Sequence, residues 1–321
     1  MNLEKYKEEI EKYLLDQIPE KKPEKIYKPI RYILQNGGKR IRPILVLMSV
    51  QSFKGNPQDA MAAASALEIF HNFTLLHDDI MDKADMRRGK ATVHKKWDEN
   101  IAILSGDTMM ILAYKMLEKY EGEIYKKLNS LLNKTAIEVC EGQQMDMDFE
   151  KASHIEVSSY LEMIRLKTAV LLGTALKFGG IIAGANSHDL EKIYSFGENL
   201  GIAFQIQDDY LDSFGDSKSF GKKIGGDIKD RKKTILFLES LKNLNPRDQQ
   251  KLRELFNTDK KTDIFKEVIA LYEKAGVPEI AKDWIKFYTS KAIDSLQETS
   301  MNQEYKKSWE NFAGKLMHRN Q

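Results

Sequence analysis

Apolar residues return at intervals of three and four through most of this chain, and strand-like alternation closed off by turns is scarce. The pattern predicts helices near residues 3–17, 23–35, 41–52, 58–82, 98–118, 121–146, 156–180, 188–213, 233–242, 246–256, 262–275, 278–297 and 301–318. Breaks fall where Gly, Pro, Asn or Asp gather, at Asn36-Gly37-Gly38, Gly55-Asn56-Pro57, Gly184-Ala185-Asn186 and from Gly215 to Asp230. None is a long flexible linker, and no internal repeat or low-complexity segment is visible. The expectation is all-α, one compact single-domain helical chain over residues 1–321. The polar stretch from Phe214 to Thr234 stands apart as a long loop of the kind that carries function.

With 321 residues, 42% of them apolar, the chain can bury a large core. Seven prolines and nineteen glycines are few for a β-sandwich or barrel of this size, which supports the helical reading. Fifty basic against 48 acidic residues leave a net charge of +2, so no whole-molecule field draws the protein to nucleic acid. The single cysteine, Cys140, excludes an intrachain disulfide and reads as a buried small hydrophobe in a reducing compartment. The N-terminus has no secretory pattern. The most apolar stretch, Ala169 to Ala185, is interrupted by Lys177 and four glycines and reads as a buried helix rather than a membrane span. A soluble, cytoplasmic protein is expected.

Two clusters carry the chemistry: Asp78-Asp79-Ile80-Met81-Asp82 and Asp208-Asp209-Tyr210-Leu211-Asp212. On a helix the first and last aspartate of each lie about 40° apart on one face, where like charges one turn apart repel. Each follows a run that must be buried, Ala60 to Leu76 and Ile202 to Ile206, so cations are needed beside them. The clusters begin 130 residues apart, at 78 and 208, and are not one local metal loop. If their helices face each other, six carboxylates offer oxygen-only ligation, which favours Mg²⁺ or Mn²⁺ over zinc and predicts a phosphorylated ligand that shares the metal.

Basic residues sit where such a ligand would need them. Gly37-Gly38-Lys39-Arg40-Ile41-Arg42-Pro43 puts three cations at a helix start, and Arg87-Arg88-Gly89 follows the first cluster. Lys167-Thr168 lies in an otherwise apolar helix, where a lysine is costly unless paired. Gly221-Lys222 and Lys232-Lys233-Thr234 bracket Gly225-Gly226-Asp227, with Lys223, Lys229 and Lys233 read as ordinary surface charge. His71 stands two turns before Asp78 on nearly the same face, and His77 is turned away, as packing or as support behind the site residues.

Together these motifs, with Gly142-Gln143, Lys167-Thr168-Ala169, Phe204-Gln205-Ile206-Gln207 and Gly226-Asp227-Ile228, resemble in order the trans-isoprenyl diphosphate synthases, or polyprenyl synthetases, over residues 35–235. The end of the chain at Arg319 is weakly similar. The resemblance implies the isoprenoid synthase type I fold, a bundle of antiparallel helices around a central cavity, in a homodimer. It implies a prenyltransferase condensing an allylic diphosphate with isopentenyl diphosphate, using about three Mg²⁺ ions, for which Mn²⁺ can substitute. By position, Asp78, Asp82 and Asp208 resemble the main metal ligands, with Asp79, Asp209 and Asp212 beside them. Arg87, Lys167 and Lys222 would hold the allylic diphosphate, Lys39, Arg42, His71 and Arg88 isopentenyl diphosphate, and Lys232 would add a further diphosphate contact. Thr168 and Gln205 resemble residues near the allylic cation.

Two positions depart from the family pattern: Ala91 replaces a frequent proline, and Arg231 a glycine before Lys232. Phe73 and Thr74, just before the first cluster, resemble the chain-length positions of enzymes that stop at farnesyl to geranylgeranyl length, with geranylgeranyl favoured. A class I terpene cyclase or a non-catalytic subunit is disfavoured, because both aspartate motifs are complete and the Gly-Gly-Lys-Arg-Ile-Arg-Pro run is present.

Overall fold

The computed structural model describes residues 3–215, 224–259 and 262–317, and almost all of them are helical, as the apolar spacing predicts. In order come α1 (Leu3–Asp16), α2 (Glu24–Gln35), α3 (Ile41–Ser52), a 3₁₀ turn (Pro57–Ala60) and α4 (Met61–Met81). A two-residue ladder, β1 (Met86–Arg87) with β2 (Lys90–Ala91), precedes α5 (Val93–Lys96), α6 (Glu99–Leu117) and α7 (Gly122–Lys151). Then follow α8 (Val157–Ile164), a π segment (Arg165–Ala169), α9 (Val170–Ile182), α10 (Ser187–Phe214) and α11 (Gly226–Lys229). The chain continues through α12 (Ile235–Asn243), α13 (Pro246–Phe256), α14 (Phe265–Lys274), α15 (Val277–Gln297) and α16 (Gln303–Met317). The ladder, α5 and α11 escaped the periodicity because they are shorter than one amphipathic repeat. None of the described helices is long and apolar enough to cross a membrane.

Contacts gather the chain into two compact units, Met1–Asn133 with Thr174–Glu191, and Lys134–Gly173 with Lys192–Gln321. In the first unit α4 is buried on every side from Met61 to Phe70, an Ala-rich run that lets neighbouring helices approach closely. Glycines of α9 serve the same end: a Cβ on Gly179 would stand 2.5 Å from Val46 O. Ser49 Oγ donates to Leu176 O at 2.6 Å across that approach. Arg40, 4% exposed and left-handed at φ 49°, fixes the entry to α3 by donating to Glu68 at 2.6 Å and to the Leu34 carbonyl. It is therefore a structural residue, not one of three free cations at that helix start.

The second unit packs α8 and α11–α15 around Phe237, Leu238, Leu252 and Val268, with Trp309 of α16 buried edge-on against Phe196 of α10. Arg231 explains its own departure from the family pattern. Its backbone is left-handed at φ 62°, which a glycine would adopt freely. The side chain compensates by donating to the carbonyls of Ile228, Asp259 and Thr262, stitching α11 to the loop before α14. Lys233 corrects the surface-charge expectation: its Nζ donates to the carbonyls of Phe149, Glu150 and Ala152 at 2.7–3.0 Å. It caps the C-terminal end of α7, where a cation offsets the helix dipole. Cys140 is exposed on α7, not buried, so its size and polarity did not decide its place.

The π segment is the sharpest local feature. A Cβ on Gly142 of α7 would lie 2.4 Å from Lys167 N, and one on Gly201 of α10 would lie 2.7 Å from Ala169 Cα. Two glycines thus let two helices close on the irregular turn. Gly142→Ala should destabilise the protein by about 1–3 kcal/mol through overpacking. Gly314→Ala on α16, where no atom lies within 4 Å, should be neutral or stabilise by up to about 1 kcal/mol. Urea midpoints of the two variants against the parent measure the difference.

Candidate active site

The first aspartate cluster forms the last turn of α4, where Asp82 N donates to Asp78 O at 2.8 Å. Three carboxylates therefore crowd the negative end of a helix dipole, which raises their need for cations. They do not stand alike. Asp79 is 3% exposed and accepts from Arg87 Nε at 2.8 Å, whereas Asp78 is half-buried and Asp82 exposed. Burial raises the Asp79 pKa, and Arg87 opposes the rise.

Arg87 and Arg88 are delivered by the hairpin. Its turn, Arg88-Gly89, has φ values of 52° and 74°, the left-handed pair that a tight two-residue turn between twisted strands requires. Arg88 donates to the Gly37 carbonyl, and a Cβ on Gly38 would stand 2.9 Å from its guanidinium. The Gly-Gly pair therefore makes room for Arg88. Beside it, Arg42 lies 3.0 Å from His71 Nε2. Burial, then Arg42, Arg88 and the neighbouring arginines, hold the His71 pKa well below 6.5. A neutral ring can accept the Arg42 proton. Lys39 is exposed just ahead of α3. Phe73 is buried with its ring centroid 5.6 Å from that of Phe70, and Thr74 donates to His71 O at 2.8 Å.

The second cluster lies on α10 and repeats the asymmetry. Asp209 is 4% exposed, accepts from the Tyr160 hydroxyl and from Gln205 Nε2 at 3.1 Å, and is pushed up in pKa by burial and by Asp227. Asp208 is half-buried. Asp212 accepts from Gly226 N at 3.2 Å and Asp227 N at 2.9 Å, so its carboxylate anchors the start of α11. Lys167, on the π segment, donates to Asp146 Oδ2 at 2.6 Å, which supplies the pairing its apolar helix demanded. Thr168 Oγ1 donates to Gln205 Oε1 at 3.4 Å. With the Gln205 amide nitrogen directed at Asp209, its carbonyl oxygen is turned toward Thr168. Lys167, Thr168, Gln205, Asp209 and Lys232 line one cavity of about 190 Å³, together with Tyr160 and Asp227.

The structure thus brings Arg42, His71 and Arg88 together in one unit, and Lys167, Thr168, Gln205, Asp209 and Lys232 in the other. Lys222 and Arg319 lie outside the described residues. Sequence reasoning missed Asp146 and Tyr160. Tyr160 precedes Lys167 by two helical turns, the same spacing that singled out His71 before Asp78, so that rule could have found it. Among the described residues no three His, Cys, Asp or Glu side chains form a set that would hold a metal ion alone. The donors in each cluster are carboxylate oxygens, the ligand type suited to a hard cation that keeps water and phosphate in its shell.

Comparison with known proteins agrees with the fold. The polyprenyl synthetase family model matches residues 23–272. The geranylgeranyl diphosphate synthase of Saccharolobus solfataricus is 38% identical over 273 residues, covering 83% of this chain and 82% of that protein. The geranylfarnesyl diphosphate synthase of Aeropyrum pernix is 34% identical, covering 85% and 87%. A crystal structure of a geranylgeranyl pyrophosphate synthase superposes with a TM-score of 0.94 at 45% identity, with both chains covered completely. The chain belongs to the polyprenyl synthetase family and is a prenyltransferase with the all-α isoprenoid synthase fold.

His71 makes the first unit sensitive to acid. A histidine whose folded pKa lies below 6.5 binds protons more readily when unfolded, so its contribution is present above that value and is lost as pH falls through it. Between pH 7 and pH 5 the parent should lose more Tm than His71→Gln, measured by thermal denaturation at fixed ionic strength. Parallel losses would remove this account.

Proposed function

We propose that the protein condenses isopentenyl diphosphate with an allylic diphosphate and releases geranylgeranyl diphosphate. The observation that carries this reading is the shared asymmetry of the two clusters. In each, the second aspartate is buried and held by protein donors, while the first keeps partial exposure. Asp78, Asp82 and Asp208 would hold Mg²⁺, with Mn²⁺ able to substitute, and Asp79, Asp209 and Asp212 would brace them. Bound there, the metal would neutralise charge on a departing diphosphate.

The chain's own residues do the rest. Arg87, Lys167 and Lys232, with Lys222, bind the allylic diphosphate, and the carboxylates of Asp79 and Asp146 hold Arg87 and Lys167 ready before it arrives. Lys39, Arg42, His71 and Arg88 bind isopentenyl diphosphate. As the allylic C–O bond breaks, its electron pair leaves with diphosphate. The homoallylic double bond then attacks the cation, and a proton passes to the released diphosphate. Thr168 and the Gln205 carbonyl turn oxygen dipoles toward the cation, while the apolar walls Met163 and Ile164 keep water from quenching it. Farnesyl diphosphate is the less favoured product, since the similar proteins carry geranylgeranyl and geranylfarnesyl names.

The proposed working form is a cytoplasmic homodimer of one-domain chains. Leu104 and Ile111, two turns apart on one face of α6, are 54% and 61% exposed and are what a second copy would cover. Leu104→Lys with Ile111→Lys should then run as a monomer by light scattering, and an unchanged dimer mass would put the interface elsewhere.

Radiolabelled isopentenyl diphosphate supplied with Mg²⁺ and dimethylallyl, geranyl or farnesyl diphosphate should enter longer allylic diphosphates. No incorporation from any primer would remove the synthase reading. Asp78→Ala and Asp208→Ala should each lower kcat by about 10²-fold or more. Thr74→Phe should shorten the product, read by chromatography after dephosphorylation.

A further inference from the structure

His77 reads from the sequence as packing or as support behind the site, and its surroundings give it a more particular role. Its imidazole lies directly over Gly106 of α6: a Cβ there would stand 2.2 Å from Nε2 and 2.5 Å from Cδ2. Any side chain at 106 would evict the ring. The same Nε2 lies 3.3 Å from the Ile103 carbonyl oxygen and 3.9 Å from Asp107 Oδ1, so the ring is anchored on α6 through a polar edge. One turn back along α4, Phe73 meets the other side of the ring with centroids 4.8 Å apart and planes at 67°. Phe73 in turn leans on Phe70 at 5.6 Å. An edge-to-face pair of this kind is favourable beyond the area it buries and restricts both rings.

We propose that His77, seated in the Gly106 notch, is a positioning residue that sets product length by holding Phe73 in place. The proposal rests on the reading of Phe73 as a chain-length residue. A phenylalanine on a helix can swing about two side-chain torsions, and a growing prenyl chain pressing on it would push it aside unless something rigid stood behind. Phe70 supports one side of the ring and His77 the other. Gly106 makes the second support possible by letting the imidazole sit against the α6 backbone. The device joins α4 and α6 at the turn that precedes Asp78.

The test is the product-length distribution of Phe73→Ala, His77→Ala, His77→Phe and the double variant Phe73→Ala/His77→Ala, given isopentenyl diphosphate and farnesyl diphosphate with Mg²⁺. Phe73→Ala should lengthen the main product by about one isoprene unit or more. His77→Ala should shift it the same way, His77→Phe should retain the parent length, and the double variant should be no longer than Phe73→Ala, since the two act as one element. If His77→Ala does not fold, His77→Gln keeps a donor for Ile103 O but removes the ring, and carries the same expectation. Phe73→Ala lengthening while His77→Ala and His77→Gln keep the parent length would overturn the positioning role and leave Phe73 standing. Additive lengthening in the double variant would overturn it too, by making His77 an independent wall. An unchanged product from Phe73→Ala would instead remove the reading beneath the proposal.

Discussion

Carboxylates packed at the end of a buried helix are the constraint around which this protein is arranged. The last turn of α4 brings three of them to a helix end that is already negative, and α10 repeats the pattern at Asp208–Asp212. Left alone, each turn would be a liability. The chain answers with neighbouring cations and hydroxyls, Arg87 against Asp79 and Tyr160 with Gln205 against Asp209. That answer buries the second carboxylate of each set against protein donors and leaves the first partly exposed.

The same economy runs through the basic residues. Lys167 rests on Asp146, Arg42 on His71, and Arg88 on the Gly37 carbonyl. Each of these cations is held by a protein partner, so the basic side chains are ordered without a bound anion. Arg40 and Lys233 are the contrasting cases. Both are basic and both flank the motifs, yet each is fully spent on carbonyls and carboxylates of the scaffold.

Most of the fold could be read from the spacing of apolar residues, because long helices with one buried stripe announce themselves. The hairpin at residues 86–91 could not, since its turn is set by the left-handed backbone of Arg88, which leaves no mark on hydropathy. Part of the candidate site was legible as well: Lys167, Thr168, Gln205, Asp209 and Lys232, marked out in the sequence, line one cavity in the structure. What stayed hidden was the division of labour. Whether Asp79 or Asp78 faces inward, and whether Lys233 is spent on the end of α7, depends on long-range packing that one sequence does not display. Asp146 was invisible for the same reason, because it matters only through a partner 21 positions away.

The π segment at Arg165–Ala169 also bears on how such chains drift over generations. A helix that carries one surplus residue in a turn absorbs it there. Losing it would leave a regular helix whose two flanks keep their register and would reset only the turn itself. Lys167 and Thr168 would then leave the cavity while the core stayed sound. A descendant with a one-residue gap at this turn could keep the architecture and lose the chemistry, so insertions and deletions here report on catalysis more directly than substitutions in the surrounding core.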